Sequence, residues 1–296
     1  MSILNYRLSE VAPYINWLYF FNTWGFPARY GNVAQVHNCT SCRAQWLASF
    51  PDEEQAKARE AMRLYDDALR LLRDLEDLAG SHAIVALYEA NADGDDIVLH
   101  GREAQGTRLP MLRQQHGDPC LSWADYLLPL ESGRRDRVGL FVTSVDESMV
   151  SGGDDYHRLL AQTLADRLAE ATAERMHEEV RRRLWGYAKD ERLTIEEMFQ
   201  EKYVGRRPAV GYPSLPDQSL NFLIDQLLDM SRIGVSLTES GAMRPHASTS
   251  GLIFAHPRAS HFAIGPIGAD QLRDYALRRG LPESEVRRFL AANLQL

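Results

Sequence analysis

The residues best suited to chemistry lie in the C-terminal half of the chain. Arg207, Ala209, Gly211 and Tyr212 belong to the run Arg-Pro-Ala-Val-Gly-Tyr-Pro at 207–213. A guanidinium presents a planar fork of donors that suits a carboxylate, and a glycine lets the backbone approach a ligand closely. His261 adds an imidazole, the side chain most often used as a general base near neutral pH. These residue types are suited to binding a carboxylate and to accepting a proton.

The cysteines offer a second kind of chemistry. Cys39 and Cys42 form a Cys-x-x-Cys pair two residues after His37, and Cys120 brings the count to three. An odd count argues against a disulfide framework, and a structural zinc site needs four ligands, which only His37 and the distant Cys120 could complete. A redox pair remains open, although no strand-turn-helix context surrounds the two thiols. We therefore predict two small loop residues and no metal.

The elements that position these residues follow from hydrophobic periodicity. Helical spacing predicts helices over Glu54–Leu78 and Asp155–Trp185, and Thr194 with Glu197 predicts a capping box for a short helix to Tyr203. Further elements are a helix from Asp217 or Ser219 to Gly234, two C-terminal helices, and strands near 83–88, 97–99, 139–144, 235–237, 251–254 and 262–267. Strands and helices mix without βαβ regularity, which predicts an α+β fold.

Composition limits the class of protein. The 296 residues carry a net charge of −8, and 45% of them are hydrophobic, which is typical of a chain with a large core. No basic stripe predicts nucleic-acid binding, and no apolar run is long enough to span a bilayer. The N-terminus has no signal-peptide pattern, so we expect a cytoplasmic protein. Arginine outnumbers lysine among the 33 basic residues, a bias typical of high-GC bacterial genes.

Two dense motifs follow the Arg207 run. They are Leu-Thr-Glu-Ser-Gly-Ala-Met at 237–243 and Ser-Gly-Leu-Ile-Phe-Ala-His-Pro at 250–257. With the Ala-rich helix over 164–179, they resemble the S-adenosylmethionine (AdoMet)-binding activation domain of cobalamin-dependent methionine synthase. The resemblance implies one curved α+β domain over 1–296. It also implies a central twisted, mainly antiparallel sheet flanked by helices, and residues 31–55 look like an insertion relative to that family.

The resemblance also implies a ligand site. Arg207, Ala209, Gly211 and Tyr212 match the family's AdoMet-binding turn, and Glu170 lies where the family's long helix has a contact glutamate. It implies AdoMet as ligand, with neither a metal nor pyridoxal phosphate as cofactor.

Two positions depart from the family pattern. Asn16 replaces an acidic residue that faces the ligand's ammonium group, and His261 replaces a tyrosine. Losing a buried counter-charge loosens that end of the ligand or lowers the pKa of its ammonium group. The two changes fall on the reacting region of the ligand, which favours altered chemistry over drift.

Three functions remain open on the sequence. In the favoured one, a stand-alone enzyme cyclises the AdoMet tail with His261 or Tyr212 as base and releases methylthioadenosine. The product would be 1-aminocyclopropane-1-carboxylate, with azetidine-2-carboxylate as the other possibility. Alternatively, the domain donates the AdoMet methyl to cobalamin on a separate protein, with flavodoxin as reductant. In the third, it binds AdoMet without turnover.

Overall fold

The core of the molecule is an antiparallel sheet. The computed structural model describes residues 1–101, 104, 106–150 and 152–295. The strands are β1 Ser2–Arg7, β2 Gly80–Asp93, β3 Asp96–His100, β4 Arg108–Pro110, β5 Asp136–Val145, β6 Ser236–Leu237, β7 Met243–Arg244 and β8 Ser248–Ile253. Six of them form the main sheet in the order β4-β3-β2-β5-β8, with β1 also paired to β2, while β6 and β7 form a separate two-stranded sheet.

The long strand β2 organises the sheet. Its first half pairs with β1, where Tyr6 lies opposite Ser81, and its second half pairs with β3, where Asn91 lies opposite Val98. Along its other edge it pairs with β5. Every ladder between named strands is antiparallel. The predicted α+β class and mainly antiparallel sheet are therefore confirmed.

Helices cover both faces of this sheet. They are α1 Leu8–Val11, α2 Trp17–Thr23, α3 Thr40–Ala48, α4 Gln55–Asp74, α5 Asp155–Glu179, α6 Ile195–Phe199, α7 Leu220–Leu228, α8 Ala269–Arg279 and α9 Glu283–Phe289. On one face, the Thr143 hydroxyl of β5 donates to the Ala169 carbonyl of α5 over 3.0 Å. On the other face, the Tyr88 hydroxyl of β2 donates to the Leu227 carbonyl of α7 over 3.0 Å.

The helix α5 carries part of the candidate site. It begins after Asp154, whose side chain accepts the His157 N–H, as expected for an N-cap. The predicted apolar face is buried at Leu160, Leu164, Leu168, Met176 and Val180, but Leu159 is 54% exposed. Buried alanines and threonines lie all round the helix because it packs between the sheet and the N-terminal helices.

The end of α5 differs from the predicted continuous helix to Trp185. A single π-helical turn, Val180–Leu184, follows the α-helical part. Arg181 lies in this turn with its side chain fully buried, and its Nη2 lies 2.7 Å from Glu191 Oε1. Such π turns often lie near functional sites.

Several local predictions were wrong. The helix α4 ends at Asp74 rather than at the predicted Leu78, and Gly80 begins β2. Residues 262–267 form no strand because Gly265 has a φ of +74° and Pro266 follows it; Ile264 donates its N–H to the Pro213 carbonyl instead. The Thr194–Glu197 capping box is confirmed, but its helix ends at Phe199.

The N-terminal region also corrects the prediction for the cysteine pair. Cys39 and Cys42 are not loop residues: Cys39 is the N-cap of α3 and Cys42 lies in its first turn. Within the described residues, no helix combines the length and the apolar character needed to cross a bilayer.

Candidate functional site

The run at 207–213, called the Arg207 turn below, is hydrogen-bonded along the edge of β8. The Arg206 N–H donates to the Phe254 carbonyl, and the Arg206 carbonyl accepts the Phe254 N–H, both over 2.9 Å. The Val210 N–H donates to the Ser250 carbonyl over 2.9 Å. Segment 206–210 therefore runs along β8 like a further strand and has a fixed position relative to the sheet.

Two glycines make this attachment possible. A Cβ on Gly251 would lie 2.0 Å from the Pro208 carbonyl oxygen, a distance no side chain tolerates. Gly211 has a φ of +89° and bends the chain away after the turn, a conformation that favours glycine. The sequence implied a ligand contact for Gly211, but this residue is not among those that line the groove described below.

Arg207 forms the buried centre of the site. Its side chain is 9% exposed, and its Nη2 lies 2.5 Å from Glu174 Oε1 on α5. The guanidinium also lies over the Phe141 ring, 5.3 Å from the centroid. Burial alone would lower the pKa of Arg207, but the charges of Glu174, Tyr203 and Glu170 and the hydrogen bond to Glu174 together raise it. Within the described part of the chain, Arg207 Nε and Glu174 Oε2 are buried without a hydrogen-bond partner.

Tyr212 pairs with the second carboxylate of α5. Its hydroxyl donates to Glu170 Oε1 over 2.7 Å. Burial, and then the charge of Glu170, raise the pKa of Tyr212 well above its usual value. The phenol is therefore protonated at neutral pH, which favours a hydrogen-bonding role over that of a base.

His261 pairs with a carboxylate that the sequence did not single out. Its Nε2 lies 3.4 Å from Glu201 Oε1, and the imidazole is 42% exposed. The hydrogen bond from His261 lowers the pKa of Glu201. Glu201 adopts the left-handed conformation with a φ of 52°, so its carboxylate points to His261 from a backbone shape that L residues rarely adopt.

Asn16 brings the N-terminal region of the chain to the site. It is the N-cap of α2, and its Oδ1 accepts the Leu18 N–H over 3.2 Å. An asparagine at this position is well suited to starting the helix. It brings no charge to the site, so an ammonium group there would have no counter-ion from this residue.

These residues line one groove with two lobes. The first lobe has a volume of about 370 Å³ and includes Asn16, Tyr19 and Glu174. The second has a volume of about 550 Å³ and includes Ala209 and His261. Both lobes share Glu170, Glu201, Arg207 and Tyr212. The volumes fall in the range of small-molecule sites, and every predicted site residue except Gly211 lines the groove.

Two of the three glutamates that line the groove were absent from the sequence prediction. Glu174 lies four residues after Glu170, so helical spacing could have placed both carboxylates on one face of α5. Glu201 follows α6 at a backbone reversal, and nothing in its local sequence pointed to the site.

Fold and groove together define a small-molecule-binding α+β domain with a curved antiparallel sheet. The family model for the vitamin B12-dependent methionine synthase activation domain matches residues 7–280. Among solved structures, one that matches is a crystal structure of the MetH reactivation domain bound to AdoHcy, with a TM-score of 0.84 and 34% identity. The match covers 100% of this chain and 90% of that chain. The chain belongs to the vitamin B12-dependent methionine synthase activation domain family.

Proposed function

We propose that the groove binds AdoMet by its amino-acid end and that the chain consumes AdoMet itself. The observation that carries this proposal is the His261–Glu201 pair, which lines the same lobe as Arg207. A carboxylate bonded to an imidazole orients the ring and stabilises its protonated form. The groove thus combines a group that binds a carboxylate with a base for a nearby proton.

Arg207 is the proposed partner of the ligand's carboxylate. Its side chain lines both lobes of the groove, and a guanidinium presents a planar fork of donors that suits a carboxylate. Glu170 and Glu174 line the groove beside it, and their negative charge attracts the sulfonium of AdoMet. The related domain that binds AdoHcy, which has the same nucleoside and amino-acid tail, supports this ligand class.

The proposed reaction is an intramolecular displacement. Glu201 lies on the Nε2 side of His261, so we assign Nδ1 as the atom that accepts the Cα proton. The electron pair left on Cα attacks Cγ, and the Cγ–S bond breaks with its electron pair moving to sulfur. The products are neutral 5'-methylthioadenosine and 1-aminocyclopropane-1-carboxylate, and His261 then releases its proton to solvent. Holding the tail with Cα behind the Cγ–S bond, in a near-attack conformation, lowers the barrier.

Asn16 bears on which nucleophile attacks. Without an acidic partner at this position, the ligand's amine is more easily neutral, and a neutral amine could attack Cγ to give azetidine-2-carboxylate. A third product, homoserine lactone, would require the carboxylate to attack Cγ, and binding of the carboxylate by Arg207 disfavours that attack. We favour the cyclopropane because the His261–Glu201 pair supplies a base, and attack by the amine does not require one at Cα.

A second candidate function keeps the family's chemistry. The chain would hold AdoMet over a cobalamin carried by a separate protein and donate the methyl group while flavodoxin supplies an electron. The intact Arg207 turn and the AdoHcy-bound relative favour it, because AdoHcy is what AdoMet becomes after methyl donation. The replacement of the acidic residue by Asn16 and of the tyrosine by His261 favours the first candidate.

One experiment separates these functions from silent binding. Purified protein is incubated with AdoMet deuterated at Cα, and the products are resolved against authentic standards by liquid chromatography and mass spectrometry. We expect methylthioadenosine and a cyclopropane amino acid without deuterium, because the Cα proton leaves. Retained deuterium in azetidine-2-carboxylate identifies attack by the amine. AdoHcy formed only with a cobalamin protein and reductant identifies methyl donation, and binding without any product identifies a non-catalytic module.

Variants at His261 test the assigned base. We expect His261→Tyr, which restores the family residue, to lower kcat by about 100-fold or more, the typical contribution of a positioned base. Adding Asn16→Asp should abolish cyclisation. His116→Gln is the matched control, since His116 is an exposed histidine outside the groove. Unchanged turnover in His261→Tyr would overturn the assignment of the base.

A further inference from the structure

A second side-chain cluster lies in the segment 31–55. The helix α3 begins directly after Cys39, whose Sγ accepts the Cys42 N–H over 3.3 Å. The Cys39 N–H in turn donates to the His37 carbonyl over 2.8 Å. This tight turn brings His37 back over the start of the helix, so three residues that are neighbours in sequence converge at one point.

The distances between the three side chains suit a metal site. The ligand atoms of His37, Cys39 and Cys42 all lie within 4.8 Å of one another. Around a tetrahedral zinc ion, two sulfurs at about 2.3 Å and one nitrogen at about 2.0 Å from the metal lie roughly 3.5–4 Å apart. Side-chain rotations that move the ligand atoms by about one ångström would therefore bring all three into contact with one ion. His37 is exposed and both cysteines are half-buried, so an ion can enter from solvent.

We propose that His37, Cys39 and Cys42 bind one zinc ion, with the fourth position taken by water or a donor from outside the chain. Two thiolates and one imidazole form a soft donor set that prefers Zn²⁺ to Mg²⁺ or Ca²⁺. A dithiol–disulfide pair would need only the two sulfurs, whereas the placement of the imidazole beside both is what a metal requires. The proposal is independent of the function assigned to the groove.

Nearby charges are compatible with a bound cation. Arg43, directly after Cys42, is paired with Asp66 of α4 and donates to Asn38 Oδ1 over 2.8 Å. Its charge is thereby compensated by a carboxylate of another helix. Because the proposed ligands lie before, at and inside the first turn of α3, a bound ion would fix the start of that helix.

Metal titration of the intact chain tests the site. Protein reduced with a phosphine and freed of metal is titrated with Zn²⁺ against a chromophoric chelator, and Co²⁺ is used as a spectroscopic probe. We expect one zinc per chain and, with Co²⁺, thiolate charge-transfer absorption together with the visible bands of a tetrahedral ion. His37→Ala should weaken zinc binding roughly a hundredfold, since one of three ligands is lost. Cys39→Ser/Cys42→Ser should abolish it.

Cys120→Ser is the matched control, because Cys120 lies outside the cluster and its loss should leave zinc affinity unchanged. Circular dichroism of each variant separates a lost ligand from a lost fold. Three results would overturn the proposal: no zinc binding by the wild-type chain, zinc binding retained in the double serine variant, or a Cys39–Cys42 disulfide that forms in air despite saturating Zn²⁺.

Discussion

The groove and the cluster of His37, Cys39 and Cys42 place ionisable groups in two different ways. The groove collects residues from Asn16 to His261, and its central pair, Arg207 and Glu174, is buried between the sheet and α5. The cluster takes its three residues from six consecutive positions at the surface. In the groove, the charge states of the side chains depend on burial and on partners that are distant in sequence. In the cluster, the charge states of the thiols depend on local hydrogen bonds at the start of a helix.

This difference teaches where each site is sensitive. A buried ion pair that loses one partner leaves an uncompensated charge, which is strongly destabilising. Exposed groups are screened by water and salt, so changes there alter reactivity more than stability. We therefore expect changes in the groove and the helix end beneath it to have larger effects than changes in the cluster.

The largest effect should come from Arg207. Arg207→Lys keeps the charge but removes the fork that can contact Glu174 and a ligand carboxylate together. We expect AdoMet binding, measured by calorimetry, to weaken by about 2 kcal/mol, roughly 30-fold. Arg181→Lys is the matched control, because Arg181 is also buried and paired with a glutamate, Glu191, but lies outside the residues that line the groove. It should lower stability while AdoMet affinity stays close to that of the wild type. Equal losses of affinity in both variants would contradict the assigned role of Arg207.

An intermediate effect should come from His177, near the end of α5. Burial, and then the charges of Arg181, Arg207 and Arg206, lower the pKa of His177 well below 6.5. The unfolded chain therefore binds a proton below about pH 6.5 that the folded chain does not. The free energy of unfolding should fall as the pH falls through this window, by up to about 1.4 kcal/mol per pH unit.

Urea denaturation between pH 7.5 and 5 measures this dependence. His177→Gln should flatten the slope by about one proton, whereas His116→Gln, at an exposed position, should leave it unchanged. A wild-type slope that survives His177→Gln would show that other groups cause the acid sensitivity.

The smallest effect on the fold should come from the cysteines. A hydrogen bond from Cys42, and then one from His37, lower the pKa of Cys39 to about 6, while the same bond to Cys39 raises the pKa of Cys42. In metal-free protein, alkylation of Cys39 by iodoacetamide should show a midpoint near pH 6, and Cys42 should react only at higher pH. Peptide mass spectrometry after timed quenching reads both rates. Removal of His37 should shift the Cys39 midpoint upward; identical profiles for both thiols would contradict this electrostatic asymmetry.

The sequence predicted the parts of the site that lie in dense local patterns. The Arg207 turn and Glu170 on the long helix were predicted and lie in the groove, and helical spacing placed α4 and α5 to within a few residues. Glu201 was missed because its position depends on a backbone reversal after α6 and on a partner 60 residues away. The cysteine pair was assigned to a loop because an N-cap cysteine is a weak helix signal beside serine, threonine or aspartate. A tertiary contact decided the first case, and a weak local signal decided the second.

The backbone conformation of Glu201 has a consequence for how this family diverges. Among the described residues, Asp229 is the other non-glycine residue with a positive φ, and aspartate tolerates that shape better than glutamate does. Where the carboxylate is not needed, we expect glycine to be the favoured residue at 201, since glycine adopts a positive φ without strain. Relatives that carry a glutamate at this position alongside a histidine at 261 would share the proposed base pair.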